Sequence, residues 1–195
     1  MDTIRRRVPF KFSEEKEEKE TEVLDEQEQD ELIEKLRREN EISNRQYLVL
    51  IRVVLALSAL LQFVFLFSPS KSSPLFSLFP AASVGEDLSM PLPTLFIMLS
   101  LFVHLNLAFL FHPNEIRMLL QLNQNPSPLS YELLYTLSAV PPTLSAFLWR
   151  PWQTTLWWCF TPMIVFIVHT VMSAIDNGNE SIADLETMKY VAPGA

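Results

Sequence analysis

Apolar and polar positions are sorted into blocks along this chain rather than interleaved. Four apolar runs stand out: residues 48–67 (LVLIRVVLALSALLQFVFLF), 94–111 (TLFIMLSLFVHLNLAFLF), 133–149 (LLYTLSAVPPTLSAFLW) and 155–175 (TLWWCFTPMIVFIVHTVMSAI). A helix rises 1.5 Å per residue and the hydrocarbon core of a bilayer is about 30 Å thick, so about 20 apolar residues cross it. All four runs come near that length. Prolines sit just outside them, at Pro91, Pro93, Pro113 and Pro151, where they suit helix starts and stops. The pattern predicts an all-α, polytopic membrane protein: a bundle of four transmembrane helices over residues 47–176, carrying a charged N-terminal arm (1–46) and a short tail (177–195).

The third run is the shortest and holds Pro141-Pro142 at its centre, which removes two backbone donors and predicts a kink. Proline is tolerated within a bilayer where hydroxyl side chains or neighbouring helices satisfy the freed carbonyls, and Ser138, Thr143 and Ser145 flank this pair. The alternative is a re-entrant hairpin, which would leave three spans and carry the C-terminus to the opposite side. In the fourth run, Asp176 marks the expected end.

Charge changes the picture in one respect: it gives the bundle an orientation. Residues 1–46 contain fifteen acidic and ten basic side chains, against eight and five in all the rest of the chain. Lys35, Arg37, Arg38 and Arg45 precede the first run, whereas the loops that would then face outward hold only Lys71 and Arg150. Lys/Arg bias near spans therefore places both termini in the cytosol. Tyr47 and Tyr131 would sit at the inner interface, and Trp149, Trp152, Trp157 and Trp158 at the outer one. With 46 mostly polar residues ahead of it, the first run is expected to act as an uncleaved signal anchor. The acidic residues from Glu14 onward are wrong for a mitochondrial presequence despite the early Arg5-Arg6-Arg7. The Asn179-Glu180-Ser181 sequon would face the cytosol and stay unmodified.

From about Thr21 the arm is rich in good helix formers, and Leu32, Ile33 and Leu36 make a short apolar stripe. It reads as a solvated helix leading into the first span or as a coiled-coil docking face; sustained heptads are missing. In the loop 68–93, the apolar piece 75–79 is too short to span, and is expected to lie in the interface, cap the bundle or bind a partner.

Polar groups within a bilayer are costly and draw attention. Arg52 lies one turn inside the first run, where its long side chain can reach the headgroups. Gln62 and Asn106 are expected to hydrogen-bond between helices. His104 and His169 lie about 15 and 21 Å below the outer edges of their runs, so a shared metal or proton-relay site would need helix tilts to compensate. No Asp or Glu lies within the runs, which weakens any ion-coupled mechanism, and packed histidines are the expectation. The single cysteine, Cys159, reads as a small apolar packing residue.

No nucleophile elbow, P-loop, H-E-x-x-H or cysteine-rich metal spacing occurs, so no enzyme activity and no cofactor is expected. A formal net charge of −8 argues against a nucleic-acid partner. The functional expectation is a non-catalytic adaptor, assembly factor or accessory subunit, surrounded by membrane lipids and holding a protein partner through the arm or the membrane helices. Short spans point to the thinner membrane of the endoplasmic reticulum. The alternative is a small transporter or lipid-handling protein with a cavity near the kinked third run.

Overall fold

The computed structural model describes residues 26–79, 90–111, 118 and 128–188. Among these, six helices form: α1 (Glu26–Phe67), α2 (Leu75–Leu78), α3 (Pro93–Phe111), α4 (Tyr131–Phe147), α5 (Trp152–Trp158) and α6 (Phe160–Thr187). The arm ahead of residue 26, most of the loop after α2 and the segment between α3 and α4 lie outside the described residues.

Three stretches are long and apolar enough to cross a membrane: Gln27–Phe67, Pro93–Phe111 and the joined α5–α6, Trp152–Thr187. Their outward faces stay apolar. Leu57, Val64, Leu95, Met98 and Phe166 are all more than half exposed, an arrangement that suits lipid and not water. The helix over the third run, α4, has 17 residues and is about 26 Å long. It is continuous through Pro141 and Pro142, so the run is a single helix and not a hairpin. The expected hydroxyl rescue takes a different form. The prolines withdraw the donors that would reach Leu137 O and Ser138 O, but Thr143 Oγ1 donates to Ala139 O and Val140 O, and Ser138 Oγ to Tyr135 O.

The four long elements run alternately up and down. α1 packs on α3 and α6, α4 packs on α3 and α6, and α1 and α4 stand at opposite corners. A lower core gathers Ile51, Leu55, Val103, Leu107, Leu134, Val165 and Val168 from all four helices. An aromatic upper core holds Phe65, Met90, Phe96, Trp157 and Trp158, with Phe65 edge-on to both indoles.

Local chemistry explains the helix ends. Lys71 folds back to donate through Nζ to Phe65 O and Leu66 O (3.1 and 2.5 Å), closing the last turn of α1 with a cation where the helix dipole favours one. The short α2 covers the end of the bundle: Ser73 Oγ donates to Gln153 O, and Gln153 Nε2 to Phe79 O. α4 ends in a Schellman-type turn, with Arg150 N reaching Ser145 O and Trp149 N reaching Ala146 O. That turn forces Trp149 to φ 52°, a left-handed conformation usually left to glycine. α5 passes into α6 through Cys159, where Pro162 withholds the backbone donor that would have reached Trp158 O.

One helix end differs from that read in the sequence: the helix of the fourth run continues past Asp176 to Thr187. α1 is one helix of 42 residues, in line with a solvated helix leading into the first run. Both polar extensions emerge from the same end of the bundle and pair with each other. This tertiary contact sustains helix beyond the apolar run.

Candidate functional site

Two polar assemblies and a groove lie along α1, and the two assemblies follow from its inward seam. Asn40, Asn44, Leu48, Ile51, Leu55, Ser58, Gln62 and Phe65 recur at spacings of three or four residues, which keeps them on one face of a helix. The seam is polar near the arm, aliphatic in the middle, and mixed polar and aromatic towards the far end.

In the membrane-length part, Ser58 faces His104 of α3. His104 Nδ1 lies 2.7 Å from Ser100 O, and Nε2 lies 2.8 Å from Ser58 Oγ. A carbonyl can only accept, so in the neutral ring Nδ1–H donates to Ser100 O and Nε2 accepts from Ser58. One turn along α3, Ser100 Oγ meets Thr161 Oγ1 of α6 at 2.5 Å. Three helices are thus stapled by one buried polar chain. Two further bonds complete the pattern: Tyr135 OH to His169 Nδ1 at 3.2 Å joins α4 to α6, and Ser145 Oγ to Thr155 Oγ1 at 2.9 Å joins α4 to α5. Tyr131 also stacks on the His169 ring, with centroids 4.3 Å apart. Such bonds hold helices together where no hydrophobic drive between them exists.

The two histidines therefore serve separate helix pairs: His104 joins α3 to α1, and His169 joins α6 to α4. Among the described residues, no group of three His, Cys, Asp or Glu could hold a metal ion. Asn106 corrects an expectation. Its amide donates to Phe102 O in its own helix, at 3.0 Å, and not across to a neighbour. Gln62 is buried, and its Oε1 has no hydrogen-bond partner among the described residues. Arg52 is exposed, beside the inward seam of α1.

The second assembly is a clasp between the polar extensions. Asn40 Nδ2 and Asn44 Nδ2 both donate to Asn179 Oδ1, at 2.8 and 3.0 Å, and Arg37 pairs with Glu186. Gly178 permits this approach: a Cβ there would lie 2.9 Å from Asn40 Oδ1. The acceptor asparagine of the sequon is thus a structural residue within a helix, and Ser181 bonds back to Asn177 O. Leu32 and Leu36 remain exposed.

Beside these assemblies lies an open groove between α1 and α3, of about 350 Å³. Ala56, Ala59 and Ala108 keep it wide, Leu55, Leu101, Leu105 and Phe111 make it apolar, and among the described residues His104 and Arg52 supply its polar walls.

Sequence reasoning missed the clasp and the groove. Asn40, Asn44 and Gly178 carry no signal until the pairing of α1 with α6 is known. The heptad spacing of Arg38, Arg45 and Arg52 is the sequence signal that points to a basic edge on α1.

A family model described as "UCP010056: YGR016W" matches residues 8–90. The match spans α1, α2 and their flanks, less than half of the chain, and leaves α3 to α6 outside it. No curated protein and no solved structure matches the chain.

Proposed function

We propose that this chain is a non-catalytic integral membrane protein that presents a rigid cytosolic stalk to a protein partner, as an adaptor, assembly factor or accessory subunit. In this reading α1, α3, α4 and α5–α6 all cross the bilayer, both polar ends face the cytosol, and the membrane is that of the endoplasmic reticulum. α4, at about 26 Å, suits a bilayer somewhat thinner than average.

The observation that carries the reading is the continuity of α1 from the arm into the membrane-length segment, together with its clasp to α6. Residues 26–47 extend about 33 Å beyond the apolar run. A tether needed only for solubility has no use for two helices pinned through Asn179 and the Arg37–Glu186 pair. A pre-ordered stalk lowers the entropic cost of binding, and its exposed Leu32 and Leu36 offer an apolar contact. The polar chain through Ser58, His104 and Thr161 fits bundle assembly, since its groups bond to one another and not to a common cavity.

The test is affinity capture of the tagged full chain from native membranes in mild detergent. A partner protein should co-purify with the wild type and be lost from Leu32→Glu/Leu36→Glu, with the variant still inserted. A lone monomer, or a partner insensitive to those changes and to deletion of residues 1–46, would refute the reading. Transport or lipid handling stands second, because the groove lined by His104 does not include His169.

A further inference from the structure

Arg38, Arg45 and Arg52 are two helical turns apart, so they form one exposed stripe on α1, about 10 Å between neighbours. The stripe runs straight into the groove, because Arg52 is its wall at the stalk end and Ala59, seven residues further on, lines it too. Arg38 pairs with Glu34 at 3.4 Å. Arg45 and Arg52 make no ion pair among the described residues, on a chain whose formal net charge is −8. Unpaired guanidinium groups above an apolar trough pose a specific chemical demand: an anion attached to hydrocarbon. Arg is well suited to it, since its planar fork matches phosphate oxygens.

We propose that the α1–α3 groove holds one acyl chain of an anionic phospholipid, whose net negative headgroup, phosphate included, is bound by Arg52 and Arg45. The small side chains Ala56, Ala59 and Ala108 give the chain room against the helices, and Leu105 and Phe111 flank it. Arg52, one turn inside the apolar run, reaches outward to the phosphate along its own aliphatic stem. Arg45 lies about 10 Å further out, at headgroup level, where each basic residue adds to the attraction for acidic lipid. The site depends on the chain lying in a bilayer and is independent of any protein partner.

The full-length protein, purified in a neutral detergent, is exposed to equimolar phosphatidylserine and phosphatidylcholine with identical acyl chains, and native mass spectrometry reads the bound lipid. The wild type should retain phosphatidylserine preferentially. Arg45→Gln/Arg52→Gln, both at exposed positions, should cut that preference by roughly thirtyfold. Ala59→Phe, which fills the trough, should abolish retention. Glycerol phosphate, which lacks the chains, should not displace the lipid. Equal retention of both lipids by the wild type would overturn the proposal. So would a preference that survives the double substitution, or displacement by glycerol phosphate alone.

Discussion

Cutting the Ser58–His104 bond measures whether buried polar contacts assemble this bundle. Ser58→Ala removes the hydroxyl 2.8 Å from His104 Nε2 and leaves that nitrogen buried with no donor. In a soluble core an orphaned acceptor costs about 1–3 kcal/mol. Between membrane helices the measured average for such bonds is about 0.6 kcal/mol and the maximum about 1.7, because the separated helices find other partners. The lower range applies here, as Ser58 is only half buried. The expected loss for Ser58→Ala is therefore about 1 kcal/mol, roughly a fivefold change in the folded ratio. His104→Ala should cost more, since it also forfeits the bond to Ser100 O and leaves a void. The assay is unfolding in mixed micelles by increasing mole fraction of SDS, for the wild type, both single variants and the double variant. The coupling energy between the two sites should be about 0.5–1.5 kcal/mol. Coupling indistinguishable from zero, with both singles destabilised, would refute the reasoning.

Other outcomes follow from the same geometry. Gln62→Leu removes a buried oxygen that has no partner among the described residues, so it should be neutral or stabilise the bundle by about 1 kcal/mol in the same SDS titration. Trp149→Gly relieves the left-handed backbone at the end of α4, where the side chain is 93% exposed; a gain of about 1 kcal/mol is expected, and a loss would show that the indole is anchored in the interface. Gly178→Leu should drive Asn40 away and release the end of α6, read as faster amide exchange over residues 179–187 with the membrane segments unchanged.

The helical class, and helices long and apolar enough to cross a membrane, were legible from hydrophobic blocks alone, because apolar runs of that length leave few alternatives. The arm illustrates what was not. Its stripe of Leu32, Ile33 and Leu36 drew attention as apolar, yet the face that α6 covers is set by Arg37, Asn40 and Asn44. Amides and charges of this kind are found in any solvated helix, and only a partner 139 residues away in sequence distinguishes them. Asp176 misled for the same reason: a charge ends an apolar run but not a helix, and pairing with α1 carries α6 to Thr187. Lys71 counted as a loop charge in the orientation argument, whereas it caps α1. At the intramembrane positions, sequence named His104 and His169 but could not assign their partners, which depend on helix rotation and depth. Asn106 donates within its own helix, to Phe102 O four residues back.

The pairing of α1 with α6 outside the apolar segments is the claim on which the stalk rests, and cysteine cross-linking in native membranes reaches it directly. With Cys159 replaced by Ser, the pair Asn44→Cys/Asn179→Cys should oxidise readily to an intramolecular disulfide, detected as a mobility shift reversed by reductant. The control Ile42→Cys/Asn179→Cys, from an exposed face of α1, should not. Equal cross-linking of both pairs, or none in the first, would mean that the two helices are not held together.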